Sequence, residues 1–400
     1  MSVSYWRLAA AGARSVDRAD VVVVGAGVVG LSAALELERR GVRVIVVDRH
    51  GPGAGASSRN AGFLMRGAAE HYGAAVRAWG RDAARTLWRG SEENLELLRR
   101  DGVEELASFA MRESCVLGLD AAEADELGAA AAMMREDGFA VELIEPGDPG
   151  TGDAAWRHGK PRRGLVNPGD AVVNPAELIS WMASRLREPV RTLAEVAAIE
   201  PYRDSARVVL VDGAIDAGRV LVCTNAWAGE LLPELRGLVV PNRGQMLALR
   251  APELVLDRAY YANRGSEYFR SAGDGVVVMG GCRVRDEAAE VGFGDEPTAA
   301  VQGALDAFAA DVLGLGGVEA VRERVIRRWA GTMGFSPDGL PIVGAVRAGV
   351  FACVGMTGHG MSLGVRSAHH AVDVVLGDAR GGGSQGEDGL FSPARIGIPV

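Results

Sequence analysis

The stretch VVVVGAGVVGLSAALELERRGVRVIVVD, Val21 to Asp48, decides the fold. Val21 to Val24 make a buried strand, Gly25, Gly27 and Gly30 form a G-x-G-x-x-G array, and an apolar helical pattern follows until Gly41. A second strand, Val42 to Val47, then ends on Asp48. Gly25 permits the tight turn out of the strand, Gly27 lets the backbone approach a pyrophosphate, and Gly30 lets the helix lie close on the sheet. The helix N-terminus, with Val28 and Val29 in its first turn, offers unpaired N–H groups and partial positive charge to phosphates. Asp48 is placed to accept hydrogen bonds from an adenosine ribose. Glycines also gather where they serve turns and packing alone, but here strand, turn, helix, strand and terminal acid follow in the order a dinucleotide site requires.

Length and composition bound the rest. The 400 residues suggest about two domains, and 48% hydrophobic with 24% charged residues is ordinary for a soluble globular protein. A net charge of -9 argues against nucleic acid as the main partner. Cys115, Cys223, Cys282 and Cys353 form no C-x-x-C or Cys/His cluster, so a reduced, cytoplasmic protein with no structural metal is expected. No signal peptide is read before the first strand, and the apolar run Val21 to Leu35 is too short and too glycine-rich for a membrane span.

Outward from Asp48 the chain runs into RHGPGAGASSRNAGFLMRG, a loop able to wrap a pyrophosphate with backbone amides and with Ser57 and Ser58; a plain surface connection is the alternative. Arg49, Arg59, Asn60, Ala61 and Gly62 belong to this neighbourhood. Arg81 to Asp101 has helical periodicity with Leu87, Trp88, Leu95 and Leu98 on one face, and Ala-rich helix continues to about Glu136. Glu145 to Arg163 reads as an exposed excursion. Asn174, Pro175 and Glu177 give a helix start with a capping box. A strand ends at Thr224-Asn225-Ala226-Trp227. From Pro241 to Gly281 strand-like pieces follow without a helix between them, which predicts an antiparallel sheet. Glu296 to Leu313 reads as helix, and the tail from Ala379 to Gly389 as mobile, with Leu390 to Val400 apolar enough to dock. Tyr5 and Trp6 sit in an N-terminal segment expected on the surface or against a partner domain.

Near the C-terminus a strand, Val350 to Val354, runs into GMTGHGMS and an apolar helix from about Ser362 to Gly377. A second glycine-rich turn thus meets a helix N-terminus, which favours negative charge and would stabilise the reduced ring of a flavin.

Taken together, GAGVVGLSAALELERRG with Asp48, SSRNAG, TNAW, SPDGLPIVG and GMTGHGM resemble the D-amino-acid oxidase type of FAD-dependent oxidoreductases, the group of glycine oxidase, sarcosine oxidase and D-amino-acid dehydrogenase. SSRNAG and Tyr5-Trp6 are also similar to the γ-glutamylputrescine oxidoreductase branch. The resemblance spans Val21 to about Leu376. It implies an α/β, overall α+β, fold: a Rossmann-like FAD-binding domain from 1-80, 164-240 and 325-380, a discontinuous substrate domain with a mostly antiparallel sheet from 81-163 and 241-324, and a tail, 381-400.

The same resemblance implies FAD in extended form, with Gly25, Gly27 and Gly30 at the pyrophosphate, Asp48 at the ribose, the Ser57 to Gly62 loop near the flavin and Val196 at the adenine. Thr224, Asn225, Trp227, Gly331 and Gly358-His359-Gly360-Met361-Ser362 complete the cofactor set. Ala330 to Met333 replaces the flavin-linking cysteine of sarcosine oxidases, so non-covalent FAD is expected unless Cys353 is recruited. Val278 stands where monomeric sarcosine oxidases place an oxygen-activating lysine, which leaves the acceptor open between O2 and another carrier.

For the chemistry, Arg66 matches the family's substrate-carboxylate arginine, with an ion pair as the alternative. Tyr260, Tyr261, Tyr268 and Arg270 lie on the sheet over the flavin, and alternation puts Tyr268 and Arg270 on one face. Arg243 and Arg283 are further candidates. His359 is counted with the site, a backbone role being favoured over proton transfer; His369 and His370 are scaffold. The expected activity is oxidation of a C–N bond of an amino acid or secondary amine. Oxidation of a 2-hydroxy acid or polyol phosphate, or a non-catalytic flavoprotein subunit, are the alternatives. A homo-oligomer is compatible with the sequence.

Overall fold

The computed structural model describes residues 17–202, 205–378 and 387–399. Tyr5, Trp6 and most of the Ala379 to Gly389 tail lie outside them.

Among the described residues the first sheet has seven strands. Asp17–Val24 lies at its centre, parallel to Val44–Val47 on one side and to Gly213–Val222 on the other. Val21, Val22, Val23 and Val24 are all buried because a central parallel strand is covered on both faces. Val350–Val354 adds in parallel beyond Gly213–Val222, and Ile342–Arg347 closes that edge antiparallel. The helix Val28–Arg39 covers one face and is itself covered by the helix Gly360–Leu376, which ends on left-handed Gly377. Between these two helices a Cβ at Gly364 would stand 3.2 Å from both Val28 and Val29. Asn94, buried on the helix Arg81–Arg100, pins the second helix by donating to Met361 O and accepting from Val365 N.

The second sheet has eight strands. Its strands Val240–Arg250, Val276–Gly280, Glu267–Gly273 and Ala259–Ala262 pair antiparallel in sequence. Strand alternation splits its faces. Tyr260 and Phe269 face the core under the helix Ala299–Val312, stacked at 5.3 Å, with the Tyr260 hydroxyl on buried Asp153. Tyr261 and Tyr268 face the other way, toward Phe63 and the first sheet's loops.

The strands after Pro241 pair antiparallel with one another as expected, and the one parallel pairing of Ala259–Ala262 is with a strand from earlier in the chain, Ser114–Gly118. Several other expectations are corrected by the structure. That same buried strand interrupts the Ala-rich helical run, whose helix is Ala121–Glu136. The excursion from Glu145 is not exposed throughout: Asp153, Ala154, Ala155 and Trp156 are buried under the second sheet. The start of the helix Pro175–Ser184 is capped by Asn174 as read, but Ser108, not Glu177, takes the Asn174 amide. Of the stretch Leu390 to Val400, the described part through Pro399 does dock: Phe391 and Ile398 are buried, and Phe391 O accepts from Val343 N.

Candidate active site

The glycine turn is a steric cradle. Gly25 has φ +106, and a Cβ there would meet Cys223 O at 2.9 Å. At Gly30 a Cβ would lie 1.9 Å from Gly25 O, so the helix reaches the strand only without one. Gly27 precedes the helix, and a Cβ there would meet Ser57 Oγ at 2.9 Å. Ser57 Oγ also accepts from Val28 N at 3.0 Å, which places the loop hydroxyl at the helix N-terminus. Asp48 Oδ2 accepts from Ala26 N and its Oδ1 from His50 N and Gly51 N. A carboxylate offers about four acceptor sites, so Asp48 orders the turn and keeps capacity for a hydroxyl.

Two connected spaces open from this cradle. The first is a cleft of about 520 Å³ walled by Gly25, Gly27, Asp48, Arg49, Val196, Thr224 and Trp227 among others. Arg49 lies over the Trp227 ring at 4.6 Å, and Phe293 stacks on that ring at 5.7 Å. Ser57, Arg59 and Asn225 are shared with the second space, an apolar chamber of about 100 Å³. Val28, Val29, Asn60, Gly358, Gly360 and Met361 wall the chamber on the side of the cradle, while Gly244, Met246, Tyr268, Gly331 and Met333 wall it on the sheet side.

Of the remaining expected residues, Ser58, Gly62, Ser362 and His359 support the walls without forming them. Ser58 Oγ donates to Gly53 O, and Gly62 comes so close to Val173 that a Cβ would lie 1.9 Å from its carbonyl. Ser362 Oγ accepts from Met65 N. His359 Nε2 accepts from Ala69 N at 3.0 Å, and burial pushes the ring down to about 4. It is a neutral brace between two loops, which corrects its placement among catalytic groups. Asn225 Oδ1 accepts from Gly355 N and Met356 N, tying TNAW to the GMTGHGM turn.

The arginines are corrected as well. Arg66 turns away from the chamber: its Nε lies 2.9 Å from Glu92 and its Nη1 donates to Ala140 O. Arg270 donates from Nε, Nη1 and Nη2 to Ala61 O, Ser271 O and Val173 O, so it braces the loop that holds Ala61. Burial and neighbouring Arg112 lower it to about 10. Arg243 is held by buried Glu290, and Arg283 by Glu287 and the Phe335 ring. Tyr260 faces the core. Tyr261 stands behind Tyr268 at 6.0 Å, its phenol raised by burial. Tyr268 is pushed up to about 12.

Met246 and Met333 were not read from the sequence. Their signal is a repeated G-x-M with strand alternation, Gly244-Gln-Met246 and Gly331-Thr-Met333, which puts each glycine and methionine on one face. Phe293 and Asp295, on the cleft's rim, carried no such mark.

These residues fit a dinucleotide with an apolar ring at one end. The cradle is one that a Cβ would fill, Thr224 Oγ1 is buried on the cleft without a partner, and the chamber is lined by methionines. Comparison with known proteins agrees. The chain is similar to glycine oxidase of Pseudomonas aeruginosa, 30% identical over 89% of this chain and 94% of that one. It is 25% identical to γ-glutamylputrescine oxidoreductase of Escherichia coli over 90% and 84% of the two chains. Its fold matches that of L-proline dehydrogenase from P. horikoshii, with TM-score 0.76 and 18% identity over 96% and 98% of the chains. The family description "FAD dependent oxidoreductase" matches residues 20–374, and with cradle, cleft and chamber in place the chain belongs to that family, the DAO family of FAD-dependent oxidoreductases.

Proposed function

We propose that this enzyme oxidises the C–N bond of an amine or amino acid to an imine, which water then hydrolyses. FAD supplies the acceptor for the hydride, two electrons and one proton, that leaves the substrate carbon. What the protein supplies is orientation and a dry wall. The substrate nitrogen, entering as the neutral amine, contributes its lone pair to the new C=N bond, so no protein base is required at that step.

The observation that carries this reading is the make-up of the chamber wall: among the described residues that form it there is no carboxylate and no imidazole. Burial holds Tyr268 up near 12 and raises Tyr261, while His359 is down near 4 with Nε2 already bonded. The wall therefore offers no side chain suited to take up a proton near neutral pH. Oxidation of an alcohol needs a base for the hydroxyl proton, so the 2-hydroxy-acid alternative is less well served by the same walls. In this reading 1-80, 164-240 and 325-380 hold the cofactor and 81-163 with 241-324 shape the substrate side. Four free, buried cysteines fit a reducing compartment such as the cytoplasm. Among the described residues no helix is long and apolar enough to cross a membrane.

Anaerobic mixing of the yellow holoenzyme with amines and with 2-hydroxy acids tests the proposal. Loss of flavin absorbance with amines is expected; loss with hydroxy acids alone would overturn it.

A further inference from the structure

The charges around the chamber narrow the substrate class. Arg59 reaches the wall, but its Nη1 donates to Asp295 at 2.9 Å and to Ala330 O at 3.1 Å. Arg66 is taken by Glu92, and Arg243 by Glu290. Arg270 is 6% exposed, stands off the chamber wall, and has each of its three nitrogens on a main-chain carbonyl. A carboxylate is best held by two parallel N–H bonds from one edge of a guanidinium. Arg66, Arg243 and Arg270 stand off the chamber wall, and Arg59, the one arginine among the residues that wall it, already has its charge matched by Asp295.

What the sheet side presents is thioether and aromatic surface. Met246 and Met333 flank Tyr268, and behind it Phe63 meets Tyr261 at 5.4 Å and Tyr268 at 6.0 Å, both edge-to-face. Such a surface suits an apolar body next to a nitrogen. A carboxylate buried against it without a partner costs several kcal/mol.

Resting on the amine-oxidising reading above, we infer that the substrate is an apolar amine with no carboxylate on the carbon that loses hydride. The C–H bonding pair of such an amine leaves with the hydride to FAD, the nitrogen lone pair forms C=N, the nitrogen's surplus proton passes to water, and hydrolysis of the C=N bond releases the carbonyl compound and the smaller amine or ammonia.

The test uses the holoenzyme in anaerobic stopped flow with matched pairs: benzylic and aliphatic amines, primary and N-methyl, each beside its α-carboxylated counterpart. The amine of each pair is expected to bleach the flavin at least about a hundredfold faster per unit concentration, as an unpaired buried carboxylate predicts. Met333→Arg, which sets a cation on the chamber wall, is expected to shrink that ratio about tenfold or more by offering the missing partner. Its flavin content and melting temperature report whether it folds, and the wild-type ratios decide the matter without it. Amino acids reacting as fast as their amines, or faster, would overturn the inference and leave C–N oxidation standing. Silence from every pair, with dithionite still bleaching the flavin, would remove both.

Discussion

The cradle around Gly25 and the sheet face around Tyr268 meet across one chamber, yet they are built by opposite means. In the cradle the backbone does the binding, and side chains matter by being absent: Gly30 must bring its Cα almost onto Gly25 O. On the sheet face the backbone is only a frame, and the surface is made by Met246, Tyr268 and Met333 from three different strands. Steric necessity therefore dominates one wall and side-chain identity the other. A change in the first should cost the cofactor, and a change in the second should redirect chemistry while the cofactor stays.

The sharpest way to break that contrast is Gly30→Ala. The new methyl meets rigid backbone at 1.9 Å, with Val23 at 3.3 Å behind it, so strand and helix must separate. Overpacking of this kind costs about 1–3 kcal/mol, and more where backbone cannot give. We expect the variant to purify without flavin or to melt well below the wild type. Gly27→Ala is the milder partner, since its methyl meets only the Ser57 hydroxyl. Flavin per polypeptide and thermal midpoint are the measurements. Full flavin content and an unchanged midpoint in Gly30→Ala would show that the cradle is not set by close contact.

The same contrast explains what could be read from the chain alone. Val21 to Asp48 is contiguous, its periods are local, and each glycine has one physical reason to be there, so strand, turn, helix and acid were legible together. The wall at Met246 and Met333 depends on register between distant strands, Gly244 opposite Gly331 and Met246 opposite Gly280, which no local pattern contains. Arg66 failed for a related reason. Its position after the Ser57 to Gly62 loop is plain in the sequence, but the direction of its side chain is decided by Glu92, on the helix Arg81–Arg100 that comes later in the chain. Tyr260 and Tyr261 show the limit most plainly, because adjacent residues on one strand must face opposite sides, and only the tertiary packing says which side is core.

A smaller effect is expected from pH. His359 braces the turn that begins the helix Gly360–Leu376 by accepting from Ala69 N, a role that only the ring with an unprotonated Nε2 can fill. Its value is lowered to about 4 by burial, so below its ordinary range near 6.5 the unfolded chain binds a proton that the folded chain refuses. The contribution is complete above that range and is lost as pH falls toward 4, up to roughly 3 kcal/mol. His359→Gln keeps an acceptor and removes the titration. The stability difference between wild type and variant, followed by urea unfolding, should change between about pH 6.5 and 4 and stay level above it. A constant difference across that window would mean that His359 is not held neutral.

The smallest effect belongs to Arg66→Met, and its smallness is the point. If Arg66 gripped a substrate carboxylate, the variant would lose affinity for a carboxylated amine far more than for the matching amide. The side chain instead lies against Glu92 and Ala140 O, over the Phe139 ring at 5.7 Å, and is not among the residues that wall the chamber. Removing it leaves Glu92, a quarter exposed and also paired with Arg89, able to recover solvent and partner. The ratio of flavin-bleaching rates for the carboxylated amine and its amide should therefore stay within about twofold of wild type, or about 0.4 kcal/mol. The melting temperature should fall, because the buried guanidinium and its carbonyl partner are lost. A selective, tenfold or larger loss with the carboxylated substrate would return Arg66 to the site and make the sheet face only one part of the substrate's recognition.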